Sequence, residues 1–208
     1  MELDNINNWK LSFAKNNYKI KFIIGFILLI IILITFPIFF NYIETREGAI
    51  INDWLIIHLP SINLSIPIFS FIWASAALLI VQAFKNPQIF LLFMWGFVLL
   101  SLSRMITIYT FPLNPPKNLV PLIDPISNAF YGGIFITKDL FFSGHTSTLL
   151  MMCLCLQKPL HKKLVFIATC LVGVMVLFQH VHYTIDVSMA FPLTYIIFLL
   201  AKKIATST

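Results

Sequence analysis

The sequence predicts an all-α membrane protein, a polytopic bundle of six transmembrane helices whose N- and C-termini lie in the cytoplasm. Three observations lead to this prediction. Of the 208 residues, 59% are hydrophobic and only 11% are charged; long apolar runs recur along the chain; and lysines cluster between alternate runs. A soluble domain is about one quarter charged, and a soluble fold of this length could not bury so much apolar surface. Lipid must therefore surround most of the protein.

Six apolar runs approach the length needed to cross a bilayer, which is roughly 20 residues with about 17 tolerated. The first run follows basic residues and precedes no small-residue cleavage site, so we expect it to be retained as a span. Residues 1–208 are predicted to form one membrane-embedded domain, with residues 1–21 lying along the cytoplasmic leaflet. The predicted spans are Phe22–Phe40, Ile66–Ala83, Ile89–Tyr109, Leu140–Leu156, Leu164–Val181 and Ile185–Ala201.

The basic residues predict the orientation. Ten of the fourteen lysines and arginines fall on the N-terminal side of the six-span topology, and an excess of basic residues marks cytoplasmic loops. The positive charge therefore indicates contact with anionic lipid rather than with nucleic acid. On the opposite side two loops are long, about Asn41–Ser65 and Thr110–Asp139. The second contains five of the eleven prolines and a candidate hinge at Gly132-Gly133.

Polar residues from three separate regions of the sequence converge on the outer side of this topology. Ionisable groups at membrane depth are costly and indicate a functional site. These residues are Arg104 near the end of the third span, Asp139, Ser143 and His145 at the start of the fourth, and His180, His182 and Asp186 at the turn before the sixth.

His182 and Asp186 are four residues apart, a spacing that places both side chains on one helical face. The carboxylate can fix the imidazole tautomer and leave the other ring nitrogen free as a nucleophile or base. The alternative is a His–Asp pair that only caps helices. His145 would supply the second function that cleavage of a phosphate ester needs, an acid for the departing oxygen.

Ser143-Gly144-His145 has the features of a helix start. Serine is a good N-cap and glycine allows backbone amides to approach a ligand, so this terminus could bind a phosphate group. Arg104 could clamp the phosphate oxygens. The alternatives are an ordinary capped helix and an arginine that extends to the membrane interface.

Two segments, Asp139–Thr146 and Gln179–Asp186, resemble the signature blocks of sphingomyelin synthases, which belong to the lipid phosphate phosphatase/phosphotransferase (type-2 phosphatidic acid phosphatase) superfamily. Arg104-Met105-Ile106-Thr107, followed by Pro112, is similar to a third block in degraded form. The resemblance covers roughly the last half of the chain, and six spans with cytoplasmic termini also fit that family.

The resemblance implies a role for each matching residue. His182 would attack the phosphorus of a glycerophospholipid donor, Asp186 would orient it, and His145 would protonate the departing diacylglycerol oxygen. A phosphohistidine would carry the headgroup to a ceramide-like or diacylglycerol-like acceptor, with no metal or other cofactor. The residues expected to contact substrate are Arg104, Asp139, Ser143, Gly144, His180 and Tyr183.

Departures from the family pattern bear on the substrate. Thr137-Lys138 replaces a Cys-Gly pair, and Val181 replaces an acidic residue. The cationic blocks of the superfamily's phosphatases are also missing, with Phe97 and Val176 at two of their basic positions. Because a phosphomonoester approaches a dianion whereas a phosphodiester is a monoanion, fewer cations favour transfer of a phosphocholine- or phosphoethanolamine-type headgroup.

Three alternatives to a headgroup transferase remain open at this point. The chain could be a lipid phosphatase, a phospholipase C-type hydrolase that releases diacylglycerol, or a small transporter or scaffold. A transporter would carry polar residues through the membrane midplane, where this sequence has few. The small size and the lysine- and isoleucine-rich composition suggest a bacterial homologue, with the active site on the periplasmic or extracellular face of the inner membrane.

Overall fold

A computed structural model describes residues 2–123 and 136–207, with side chains from Asn8 onward in the first helix. The predicted hinge at Gly132-Gly133 lies outside the described residues. Within the described part of the chain the regular structure is helical, apart from one isolated bridge between Ala49 and Leu113. The helices are α1 (Glu2–Ala14), α2 (Asn16–Thr45), α3 (Trp54–His58), α4 (Ser65–Lys85), α5 (Pro87–Thr110), α6 (Gly144–Cys155), α7 (Pro159–Phe178) and α8 (Thr184–Thr206).

Five of these helices, α2, α4, α5, α7 and α8, are long and apolar enough to cross a membrane. Each contains a predicted span and extends beyond it by a few residues at one or both ends, except that α7 ends at Phe178, before Val181. The chain is therefore a multi-pass membrane protein built from α-helices, the structure that satisfies all backbone hydrogen bonds within one segment.

The predicted fourth span, Leu140–Leu156, differs from the structure. Only Gly144–Cys155 is helical there, and its 12 residues extend about 18 Å at 1.5 Å per residue, less than the ~30 Å hydrocarbon core. The count of six full-length spans is therefore not confirmed: the described residues form five long helices and this shorter one. Leu140 and Phe142 are nearly fully buried but lie in non-helical backbone, which an apolar run by itself cannot reveal.

The short helix α6 is the centre of the bundle. It contacts α4, α5, α7 and α8, and residues on all its faces are buried. By contrast, α2 packs mainly on α5 and exposes large apolar side chains such as Ile34 and Ile38, as expected for a helix that faces lipid. The candidate site is thus built on the most enclosed helix.

Both chain termini lie at one end of the bundle. The Asn17 side chain donates a hydrogen bond to the carbonyl of Ser207 over 3.0 Å, and the Tyr18 hydroxyl donates to the carbonyl of Pro87 over 3.0 Å. The indole of Trp9 in α1 donates to the carbonyl of Phe84 at the same end. The described part of the predicted interfacial segment 1–21 thus comprises α1 and the start of α2. Its placement in the cytoplasm stays a prediction from the lysine distribution.

At the opposite end, α6 begins below the ends of its neighbours. Gly144 lies against Arg104, and α5 continues six residues past Arg104 to Thr110, about 9 Å along the helix. Similarly, Phe69, which touches His145, lies four residues inside α4. The start of α6 is therefore recessed within the bundle by more than one helical turn.

Candidate active site

His182 and Asp186 meet at the N-terminus of α8, although His182 lies two residues before the helix rather than on the helical face that the four-residue spacing predicts. Nδ1 of His182 lies 3.5 Å from Oδ2 of Asp186, and both side chains are buried. The same carboxylate oxygen accepts a hydrogen bond from the backbone amide of Tyr183 over 2.9 Å. Asp186 therefore caps the helix and faces the imidazole with one carboxylate.

His145, the second residue of α6, faces the same pair. The ring centres of His145 and His182 are 6.0 Å apart, and the edge of Phe69 contacts His145 from α4. Nδ1 of each histidine and Oδ1 of Asp186 are buried without a hydrogen-bond partner. Buried polar atoms are nearly always paired, so these three unpaired atoms could form hydrogen bonds with a bound ligand.

A backbone hydrogen bond joins the two helix starts that carry these residues. The amide of Ser143 donates to the carbonyl of Asp186 over 3.1 Å, and the fully buried Ser143 hydroxyl accepts from the amide of Thr146 as the N-cap of α6. The positive ends of α6 and α8 are thus fixed beside each other, an arrangement that favours an anion between them.

Arg104 lies over the start of α6. A Cβ atom placed on Gly144 would lie 2.5 Å from Nη1 and 2.6 Å from Cζ of the guanidinium, so only glycine permits this approach. The guanidinium also donates to the carbonyl of Phe142 over 2.9 Å and forms an ion pair with Asp139. The single positive charge of Arg104 is therefore already paired with a carboxylate, and its role as a phosphate clamp stays a prediction.

Side chains of α5 hold the non-helical segment 136–143 at this depth. Arg104 binds the carbonyl of Phe142, and the Thr107 hydroxyl binds that of Phe141 over 2.8 Å. Irregular backbone inside a membrane is tolerated only where protein satisfies its polar groups. These two side chains supply donors for that purpose, which explains why α6 can begin so far inside the bundle.

His180 and Tyr183 belong to the same turn as His182 but bind the outer loops. The two ring nitrogens of His180 lie 2.9 Å from the carbonyl of Lys117 and 3.2 Å from that of Leu59. The Tyr183 hydroxyl donates to the carbonyl of Asn114 over 2.9 Å, and burial raises its pKa, which keeps the proton in place. Their expected contact with substrate stays a prediction, because in the structure these polar atoms serve the loops.

A separate cavity of about 750 Å³ lies on the side of the turn that carries His180 and Tyr183. Its wall combines apolar side chains of the first outer loop, such as Ile50 and Ile57, with Lys117 of the second. Neither His145 nor His182 lines it. The structure therefore unites His145, His182, Asp186, Arg104, Asp139, Ser143 and Gly144 in one cluster and places His180 and Tyr183 at its back.

Three residues outside the predicted set hold the two motif segments in place. Glu44 accepts from the amides of Thr137 and Lys138, Gln179 binds the second outer loop through the carbonyl of Pro121, and Asp53 binds Thr184. No local pattern indicates these contacts, because they join residues far apart along the chain.

Comparison with known proteins adds one finding to this geometry. Residues 138–203 match the family model described as PAP2 superfamily C-terminal. This match supports membership of the PAP2 superfamily. It covers about a third of the chain and includes Asp139, His145, His182 and Asp186, whereas Arg104 lies outside it. No curated protein and no solved structure matched the chain.

Members of the PAP2 superfamily act on phosphate esters as phosphatases or phosphotransferases, and the cluster has groups suited to such chemistry. One histidine is paired with a carboxylate, a second faces it, and helix N-termini and a guanidinium surround the space beside them. Among residues 2–123 and 136–207, no three His, Cys, Asp or Glu side chains converge as a metal site. The two imidazoles and the carboxylate are themselves equipped for acid–base and nucleophilic chemistry.

We expect Gly144→Ala to lower turnover about 100-fold, the scale of loss from an ~1 Å misplacement of a catalytic contact. The new methyl group would meet the guanidinium of Arg104, which cannot retreat without breaking its contacts with Phe142 and Asp139. Steady-state turnover of a phosphate ester substrate by the purified variant measures the effect.

Gly96→Ala is the matched control for this substitution. Its Cβ would lie 2.6 Å from Sδ of Met151, but an unbranched methionine side chain can move aside. We expect near-normal turnover from this variant. Equal turnover in the Gly144→Ala variant would show that the close approach of Arg104 has no role in the reaction.

Proposed function

We propose that this protein transfers a phosphate-linked headgroup, of the phosphocholine or phosphoethanolamine type, from a glycerophospholipid to a lipid hydroxyl. The acceptor is a ceramide-like or diacylglycerol-like lipid, and the headgroup is carried as a phosphohistidine. The observation that carries the proposal is the cluster that His145 forms with the buried His182 and Asp186 at the joined starts of α6 and α8.

In the proposed first step, a ring nitrogen of His182 attacks the phosphorus of the donor while the carboxylate of Asp186 holds the imidazole. The bond from phosphorus to the glycerol oxygen breaks, and His145 gives its proton to that oxygen, which releases diacylglycerol. Arg104 and the first amides of α6 face the remaining phosphate oxygens, where the negative charge of the transition state develops.

In the second step, His145, now neutral, takes the proton of the acceptor hydroxyl. The acceptor oxygen attacks phosphorus, the bond between phosphorus and His182 breaks, and the new phosphodiester leaves. His145 recovers the proton that it donated in the first step, so the cycle needs no external acid or base. If water enters instead of the lipid hydroxyl, the same steps give a phospholipase C-type hydrolysis.

The balance of charge supports a phosphodiester donor over a phosphomonoester. Arg104 is paired with Asp139, and the nearby cations Lys138 and Arg46 bind backbone carbonyls at the ends of α2 and α5. A monoester near its dianionic state would need more positive charge in a medium of low dielectric constant. A monoanionic diester suits one partly neutralised guanidinium and two helix N-termini.

The depth of the cluster supports a substrate that itself lies in the bilayer. The start of α6 is recessed below the ends of α4 and α5, within the apolar part of the bundle. We propose that a bacterial inner membrane contains the protein and that the site opens toward its periplasmic or extracellular face, since the lysine-rich end would lie in the cytoplasm.

The proposal is tested with purified protein in detergent given phosphatidylcholine or phosphatidylethanolamine labelled in the headgroup, with and without ceramide. We expect a labelled ceramide product and diacylglycerol. Diacylglycerol with a water-soluble phosphorylated headgroup in both conditions would assign a phospholipase C activity instead. Release of inorganic phosphate from phosphatidic acid alone would assign a phosphatase. If none of these products forms, the enzymatic proposal fails.

A further inference from the structure

Asp53, in the first outer loop, binds the start of the helix that carries Asp186. Its Oδ2 accepts a hydrogen bond from the amide of Thr184 over 2.6 Å, and its Oδ1 accepts from the hydroxyl of Thr184 over 2.9 Å. Oδ1 also accepts from the amides of Leu55 and Ile56. A single carboxylate therefore caps two helices, α3 and α8, whose starts are 130 residues apart in the sequence.

The N-terminus of α8 needs these acceptors because the first amides of any helix have no partner within it. Two carboxylates share this role, since Asp53 binds the amide of Thr184 and Asp186 binds that of Tyr183. The remaining oxygen of Asp186 has no partner, and His182 lies 3.5 Å from the oxygen that caps the helix. Asp186 thus already accepts from the amide that precedes Thr184, on the same turn of the chain.

We propose that Asp53 is a positioning residue. By accepting the hydrogen bond of the Thr184 amide, it leaves the carboxylate of Asp186 free to stay directed at His182. This inference rests on the proposed role of His182 as nucleophile. The first outer loop, which is far from both motifs in the sequence, would then control the orientation of the catalytic imidazole.

The isosteric change Asp53→Asn tests this role. Both oxygens of Asp53 accept from backbone N–H groups, one from Thr184 and the other from Leu55 and Ile56. The asparagine side chain keeps only one acceptor oxygen, so its NH₂ group must face one of these backbone N–H groups. We expect kcat to fall about 10- to 100-fold, the scale of a small misplacement of a reacting group, with KM changed less than about twofold because no substrate contact is lost.

A double-mutant cycle with Asp186→Asn distinguishes positioning from a general loss of stability. If Asp53 acts through Asp186, adding Asp53→Asn to the Asp186→Asn variant should lower kcat by less than about threefold, since coupled residues are not additive. Full additivity of the two losses would overturn the proposal.

Asn86→Ala is the matched control for losing a helix cap. The Asn86 side chain caps α5 by accepting from the amide of Gln88 over 3.0 Å, at the end of the bundle that holds the chain termini. We expect this variant to unfold at a lower temperature and to retain the kcat of the parent. If Asp53→Asn behaves in the same way, with a lower unfolding temperature and an unchanged kcat, Asp53 is only structural.

A measurement that does not depend on activity separates this inference from the proposed function. In protein with ¹⁵N-labelled histidine, the resonances missing from the His182→Ala variant belong to His182. We expect Asp53→Asn to shift them in the same direction as Asp186→Asn does. Unchanged resonances would overturn the positioning role even in an active enzyme, whereas shifted resonances in a protein without turnover would leave that role intact and refute only the proposed reaction.

Discussion

His182→Ala is expected to lower turnover about 10⁴-fold or more, the scale seen when a nucleophile is removed from a catalytic unit. Without the imidazole beside Asp186, phosphorus has no protein nucleophile, and the reaction loses its covalent intermediate. The first measurement is headgroup release from a donor carrying ³²P. The second is labelling of the protein itself: a phosphohistidine label survives in alkali and is lost in acid.

His58→Ala serves as the control for this experiment. His58 lies exposed on α3, with its ring against the carbonyl of Trp54, and we expect full turnover and full labelling from the variant. Monodisperse elution of the His182→Ala variant from a sizing column would show that the bundle is intact. Labelled protein in the His182→Ala variant would place the covalent intermediate on another residue and refute the proposed nucleophile.

His145→Ala is expected to lower turnover of a natural glycerophospholipid about 10²- to 10⁴-fold, the usual contribution of a positioned general acid. The departing glycerol oxygen is a poor leaving group unless it receives a proton, and His145 is the second imidazole in the cluster, 6.0 Å from His182 between ring centres.

A donor with an activated leaving group separates the roles of the two histidines. A nitrophenyl phosphodiester releases a stable phenolate that needs no proton, so we expect His145→Ala to lose far less activity on this donor than on the natural lipid. His182→Ala should lose its activity on both donors, because both require the nucleophile. Equal losses of His145→Ala on the two donors would show that His145 is not the acid.

The long spans could be predicted from the sequence because hydropathy is a local property. The predicted Ile66–Ala83 and Ile89–Tyr109 lie within α4 and α5, to within two residues at each end. The prediction of the fourth span was wrong because the backbone conformation there depends on distant residues. Leu140 and Phe142 are as apolar as any transmembrane residue, yet their backbone is held outside a helix by Arg104 and its neighbours on α5.

In the candidate site, too, the features that depend on nearby residues could be predicted and those that depend on distant residues could not. The approach of His182 to Asp186 and the helix start at Ser143 each involve residues close together in the sequence, and the structure shows both. The balance of Arg104 by Asp139 and the binding of His180 to the outer loops depend on neighbours that no spacing predicts. These contacts change the expected charge of the site and the expected role of the turn.

By itself, the sequence determined that this is a helical membrane protein and which histidines and carboxylates gather at one end of it, because apolar runs and helical spacing act over a few residues. Only the tertiary structure decided how deep the site lies and what holds it. The contact from Asp53 to Thr184 joins residues 131 positions apart, and a hydrogen bond over that separation exists only once the helices have packed.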